Sequence, residues 1–154
     1  MNAGRILPPG SGRRLRVGPN ELTVKAGPET GHTLAAVFES TLPPGGGYPL
    51  PHVHDQYEEI FYVLEGEIEY RIGDQWTPAS AGTTICIPPG IVHAFRNISP
   101  HPARHLALHA PAAALTMIEE VGQAPQAQLD AILAKYGTRL TEDTGTAQAP
   151  SPRQ

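Results

Sequence analysis

Glycine and proline interrupt this chain so often that no long helix fits before Pro111. Sixteen glycines and 17 prolines fall among 154 residues, and the stretches between them are short and apolar. Leu15, Val17, Leu22 and Val24 flank Gly18-Pro19-Asn20, which predicts two short strands about a turn. Leu34 to Leu42 reads as a strand stopped by Pro43-Pro44-Gly45-Gly46-Gly47. Glu59 to Leu64 is the strongest strand signal; Gly66 ends it, and Glu67 to Ile72 alternates up to the turn Gly73-Asp74. Thr83 to Ile87, Val92 to Ile98 and Arg104 to His109 complete the series. Strands that follow one another with no helix between them predict an all-β antiparallel sandwich or barrel. Ile60 to Leu64 is apolar on both faces. One face lines the interior, so the other needs cover from a second subunit or a terminal strand, and a homodimer is expected.

Beyond Pro111 the character changes. Ala112 to Val121 and Gln126 to Tyr136 are rich in helix formers, Leu129, Ile132 and Leu133 fall at helical spacing, and Gly137 is a helix stop. Thr141 to Gln154 is polar and aperiodic, as disordered tails are. The chain therefore divides into N-terminal strands packing on the barrel (1–30), the barrel itself (31–110), a C-terminal helical segment (111–140) and a tail (141–154). A net charge of −4 gives no reason to expect nucleic acid or an anionic membrane as partner. Lone Cys86 excludes an internal disulfide framework and favours a reducing compartment. Arg5, Arg13, Arg14 and Arg16 suit a transit peptide by charge, but Pro8, Pro9, Gly10 and Gly12 break the helix it needs. With no apolar run of membrane-spanning length, a cytoplasmic protein is expected.

The chemistry concentrates at four residues. His52 and His54 are one residue apart, so in an extended segment both imidazoles leave from the same face. Glu59 opens the strand after the next turn, and His93 stands just past Pro88-Pro89-Gly90. Three neutral imidazoles and one carboxylate suit one borderline divalent cation, with positions left for water or substrate. Gly46-x5-His52-x-His54-x4-Glu59-x6-Gly66 and Gly82-x5-Pro88-x-Gly90-x2-His93-x3-Asn97, fifteen residues apart, reproduce every anchor of two motifs. In these the chain resembles the cupins, and small single-domain quercetin-dioxygenase-like cupins in particular. The resemblance is specific over residues 31–110. It implies an antiparallel jelly-roll β-barrel with short C-terminal helices, in which His52, His54, Glu59 and His93 hold one Fe, Mn, Ni, Co, Cu or Zn ion.

Strand parity sends Phe61, Val63, Phe95 and Asn97 inward, where Phe61 and Phe95 either wall a pocket or fill the core. Gly46, Gly66, Gly82 and Gly90 are expected to supply positive φ, and Asn97 to bond backbone at a bend. Tyr57 and Glu58 read as an exposed turn, with a role beside the ligands as the alternative. Leu106 and Leu108 read as core, which turns His105 and His109 outward; the alternative puts one of the histidines in the pocket as a general base. Cys86 is expected to pack as a small apolar side chain.

By the resemblance, the expected function is a dioxygenase acting on a small aromatic, enol or diketone substrate, with Glu59 as ligand and proton acceptor. Two alternatives are carried: a non-redox cyclase, isomerase or lyase resembling polyketide cyclases, and a non-catalytic ligand-binding or sensor module. No DNA-binding helix pair is read ahead of the barrel, which counts against a one-component regulator. The retained glutamate sets the chain apart from thiol dioxygenases, and the intact ligand set from metal-free sugar epimerases.

Overall fold

The computed structural model describes residues 4–32 and 34–141. Two antiparallel sheets face each other. The first contains β1 (Arg13–Val17), β2 (Asn20–Ala26), β3 (Ala36–Leu42), β5 (Glu58–Glu65), β8 (Thr84–Ile87) and β10 (Ala103–Ala110). The second contains β4 (Gly47–His54), β6 (Glu67–Ile72), β7 (Gln75–Ser80), β9 (His93–Arg96) and β11 (Thr138–Leu140). Their orders are β1-β2-β3-β10-β5-β8 and β11-β4-β9-β6-β7, so the sheets enclose a core without closing into a continuous hydrogen-bonded barrel. Helices α1 (Ala114–Gln123) and α2 (Leu129–Lys135) follow β10. The expected all-β class is what the chain adopts. Phe38, Leu42, Phe61 and Val63 from one sheet meet Ile68, Tyr70 and Ala79 from the other in one buried cluster.

Inward and outward faces follow the strand period, with one inversion against the hydrophobic pattern. On β10 the buried residues are Ala103, His105, Ala107 and His109, while Leu106 and Leu108 turn outward. Their partners explain the choice. Ala107 lies opposite Phe38 on one side and Phe61 on the other, so a small residue is needed between two inward rings. That register places His109 opposite Glu59 and leaves both leucines on the outer face. The expectation of inward leucines and outward histidines is therefore corrected.

Cys86 is likewise outward and exposed, because Ile85 and Ile87 take the inner positions beside it. Gly66, Gly82 and Gly90 do adopt positive φ, but Gly46 does not. Its reason is space: a Cβ there would stand 2.7 Å from Pro43 Cδ and 2.8 Å from Asn20 Oδ1. Asn97 bonds backbone as expected, donating to the carbonyls of Leu42 and His101 at 3.0 and 2.8 Å.

The N-terminal strands do not cover the outer face of β5. They extend the sheet edge beyond β3, and Tyr62 and Leu64 remain 44% and 37% exposed. The C-terminal segment is helical only as far as Lys135. Gly137, at φ +67°, turns the chain back so that β11 pairs with β4, setting Thr138 opposite His54 and Leu140 opposite His52. The tail expected over 141–154 lies outside the described residues except for Thr141. Among the described residues no helix is long and apolar enough to cross a membrane.

Candidate metal centre

The four residues of the two motifs meet at one end of the cavity between the sheets. His52 and His54 leave the same face of β4, and His52 is the direct cross-strand partner of His93 on β9. Gly90, in the turn before β9, donates its N–H to the carbonyl of His54 at 2.7 Å, tying the second motif to the first. All four side chains are buried. The ligand nitrogens of His52, His54 and His93 lie within 4.8 Å of one another. Glu59 adjoins them, with Oε2 2.9 Å from His93 Nε2 and Oε1 3.3 Å from His54 Nε2.

The outer nitrogens show that the inner ones are prepared as ligands. His52 Nδ1 donates to the Leu50 carbonyl at 2.8 Å, and His93 Nδ1 to the Ile91 carbonyl at 2.9 Å. A carbonyl only accepts, so both rings carry hydrogen on Nδ1 and present Nε2 as a lone pair. His54 Nδ1 bonds Thr138 Oγ1 at 2.7 Å, and that hydroxyl in turn donates to Met117 Sδ. Metal-binding histidines characteristically anchor the second ring nitrogen in this way. The donor set fits a divalent transition metal.

Charge balance points the same way. Burial alone would raise the Glu59 carboxyl, but His109, His54 and His93 outweigh it and hold the group well below its usual range. Burial pushes the His93 imidazolium down, yet Glu59 prevails and the net shift is upward. Burial and the neighbouring His93 drive His52 down to about 3. A buried carboxylate ringed by imidazoles is a donor set that one divalent cation answers, and binding it requires each coordinating imidazole to be neutral.

Tyr57 corrects another expectation. Its side chain is buried, stacks on His54 at 3.9 Å between ring centroids, and brings its hydroxyl to 3.1 Å from His54 Nε2. Glu58 beside it is exposed as expected, although it opens β5 rather than lying in the turn. Above the cluster lies a cavity of about 100 Å³. One water needs roughly 10–15 Å³ on this measure, so the space suits a small organic molecule. Phe61 and Phe95 both line it, 5.6 Å apart between centroids, as do His105 and His109. Met117 and Val121 of α1 and Leu133 of α2 also line it. Neither ring nitrogen of His109 finds a hydrogen-bond partner among the described residues, although Nε2 lies 3.3 Å from Glu59 Oε1. Sequence reasoning missed Thr138 and Met117; neither lies in a motif, and only the return of β11 to β4 brings Thr138 to the site.

Known proteins place this architecture. Residues 38–109, just under half of the chain, match the cupin domain. The polyketide cyclase RemF from Streptomyces resistomycificus superposes with a TM-score of 0.62 at 20% identity, covering 70% of this chain and 80% of that one. The chain has a cupin fold. Among curated relatives, the HTH-type transcriptional regulator PuuR of Escherichia coli is 39% identical over 79 residues, 51% of this chain and 42% of the regulator. Polyketide synthase CurC of Streptomyces cyaneus is 30% identical over 102 residues, 64% of this chain and 63% of that protein. The chain thus spans less than half the length of the regulator it matches.

The Thr138 anchor is testable within this cupin fold. Thr138→Val keeps the shape but removes the partner of His54 Nδ1. It should weaken Mn²⁺ or Zn²⁺ binding roughly ten- to a hundredfold in a competition titration with a chromophoric chelator. Unchanged affinity would show that the anchor does not prepare the ligand.

Proposed function

We propose that the protein is a mononuclear metal enzyme that converts a small, enolisable, largely apolar substrate without consuming dioxygen. The observation that carries this reading is the set of three anchored imidazoles presenting Nε2 lone pairs at the polar end of an apolar cavity. His52, His54, Glu59 and His93 hold the cation, which when bound supplies a Lewis acid for a substrate oxygen. Among the described residues Glu59 is the only carboxylate that lines the cavity, and it takes both expected tasks, ligand and acceptor of the substrate's proton. Tyr57 keeps its own proton, because burial and then Glu59 push its phenol upward, and it serves as a donor beside His54. Phe61 and Phe95 hold the substrate's apolar body, with Met117 and Val121 of α1 on the same lining.

Likeness to CurC in sequence and to RemF in fold supports the non-redox choice over the dioxygenase expected first. The dioxygenase is the second reading, favoured by the complete set of three histidines and one glutamate. Metal-loaded protein, incubated with aryl 1,3-diketones and poly-β-keto thioesters under anaerobic conditions, should transform one of them, and His93→Ala should not. Turnover that requires dioxygen would replace this reading with the dioxygenase. A small molecule retained unchanged through purification would favour a binding module, in keeping with the likeness to PuuR.

We further propose that it works in the reducing cytoplasm as a homodimer, a reading that the exposed Tyr62 and Leu64 support as contact residues. Light scattering should give twice the chain mass for the wild type and the single mass for Tyr62→Glu/Leu64→Glu. A monomeric wild type contradicts the dimer.

A further inference from the structure

Two polar side chains outside the metal cluster reach the same cavity. Ser40 on β3 and His105 on β10 are direct cross-strand partners, face inward and are almost fully buried. Such partners hold their Cβ atoms about 5 Å apart, close enough for both side chains to meet one ligand atom. The His105 ring is confined by Phe61 and Phe95, with centroids 4.9 and 5.3 Å away.

The tautomer of His105 follows from its partner. Tyr70 hydroxyl and His105 Nδ1 are 2.6 Å apart. Burial raises the Tyr70 phenol, which keeps its proton and donates it; burial, helped by His109, lowers the His105 imidazolium to about 3. A neutral imidazole accepting at Nδ1 carries its hydrogen on Nε2. That N–H and the Ser40 hydroxyl have no hydrogen-bond partner among the described residues. Neither atom is sealed from the cavity.

The surroundings make these two groups conspicuous. Leu22, Phe38 and Leu42 form an apolar wall, and both ends of the Asn20 amide are already taken by Gly47. Unpaired donors in such a wall are costly unless a ligand satisfies them. Among the described residues no lysine or arginine lines the cavity, so a carboxylate or phosphate at this end would lie uncompensated. The group that fits is a neutral oxygen, carbonyl or hydroxyl. His105 stands four residues along β10 from His109, the partner of Glu59, which is roughly 13 Å at ordinary strand rise.

We infer that His105 and Ser40 form a second substrate contact, which selects molecules bearing a neutral oxygen at the end remote from the metal. The substrate class is then bifunctional: one oxygen for the cation, an apolar middle between Phe61 and Phe95, and a second oxygen on His105 and Ser40. This rests on the metal-anchored reading above.

The probes are 1-phenylbutane-1,3-dione and its 4-hydroxyphenyl counterpart, titrated calorimetrically into zinc-loaded protein. Wild type should bind the hydroxylated probe about tenfold more tightly. Ser40→Ala and His105→Phe should each reduce that preference, while leaving metal content and affinity for the plain diketone within about twofold. Ser40→Ala removes only one oxygen, so it tests the contact even if His105→Phe folds poorly. Equal binding of both probes by wild type, or a preference surviving in both variants, overturns the second contact and leaves the metal reading intact. If neither probe binds zinc-loaded protein, the metal-anchored reading falls and this inference with it.

Discussion

A buried carboxylate has to be answered by positive charge or by hydrogen bonds, and that requirement organises this molecule around Glu59. Its oxygens meet His93, His54 and His109 from three different strands. Each of those strands is fixed in register by the sheets: β9 through the pairing of His52 with His93, and β10 through the pairing of Glu59 with His109. A slip of one residue on any of them would turn its imidazole outward and leave the carboxylate unanswered. The sheet registers and the candidate centre are therefore one constraint seen at two scales.

The cavity is divided by chemistry along its length. At one end stand lone-pair nitrogens and a carboxylate, and in the middle the aromatic walls of Phe61 and Phe95. The small inward residues of β10, Ala103 and Ala107, belong to the packed core, with Ala107 between Phe38 and Phe61. Helix α1 contributes Met117, Ile118 and Val121 to the lining. Gly122 allows that helix to lie close on β1, because a Cβ there would stand 2.7 Å from the Arg16 carbonyl oxygen.

Much of this was legible in the sequence because it depends on local spacing. His52 and His54 at two-residue spacing, the strand opening at Glu59 and the turn before His93 all follow from period and punctuation. The faces of β10 were not legible. Arg-His-Leu-Ala-Leu-His-Ala alternates so that either set could face inward, and hydrophobicity favours the wrong one. Only the bulk of Phe38 and Phe61 on the neighbouring strands decides it. Tyr57 looked like turn surface because its cover comes from Met117 and Leu133, some sixty residues or more away in the chain. Thr138 carries no local signal at all, since its role exists only once β11 has returned to β4. Cys86 was misread for a simpler reason: a small apolar residue between two isoleucines takes the face that they leave.

The central claim is that these residues hold one divalent transition metal, and elemental analysis by mass spectrometry of the freshly purified protein tests it most directly. The account predicts close to one equivalent of Fe, Mn, Ni, Co, Cu or Zn per chain, lost when His93 is replaced by alanine. Absence of metal from the wild type, persisting after each of these ions is supplied in turn, would contradict it.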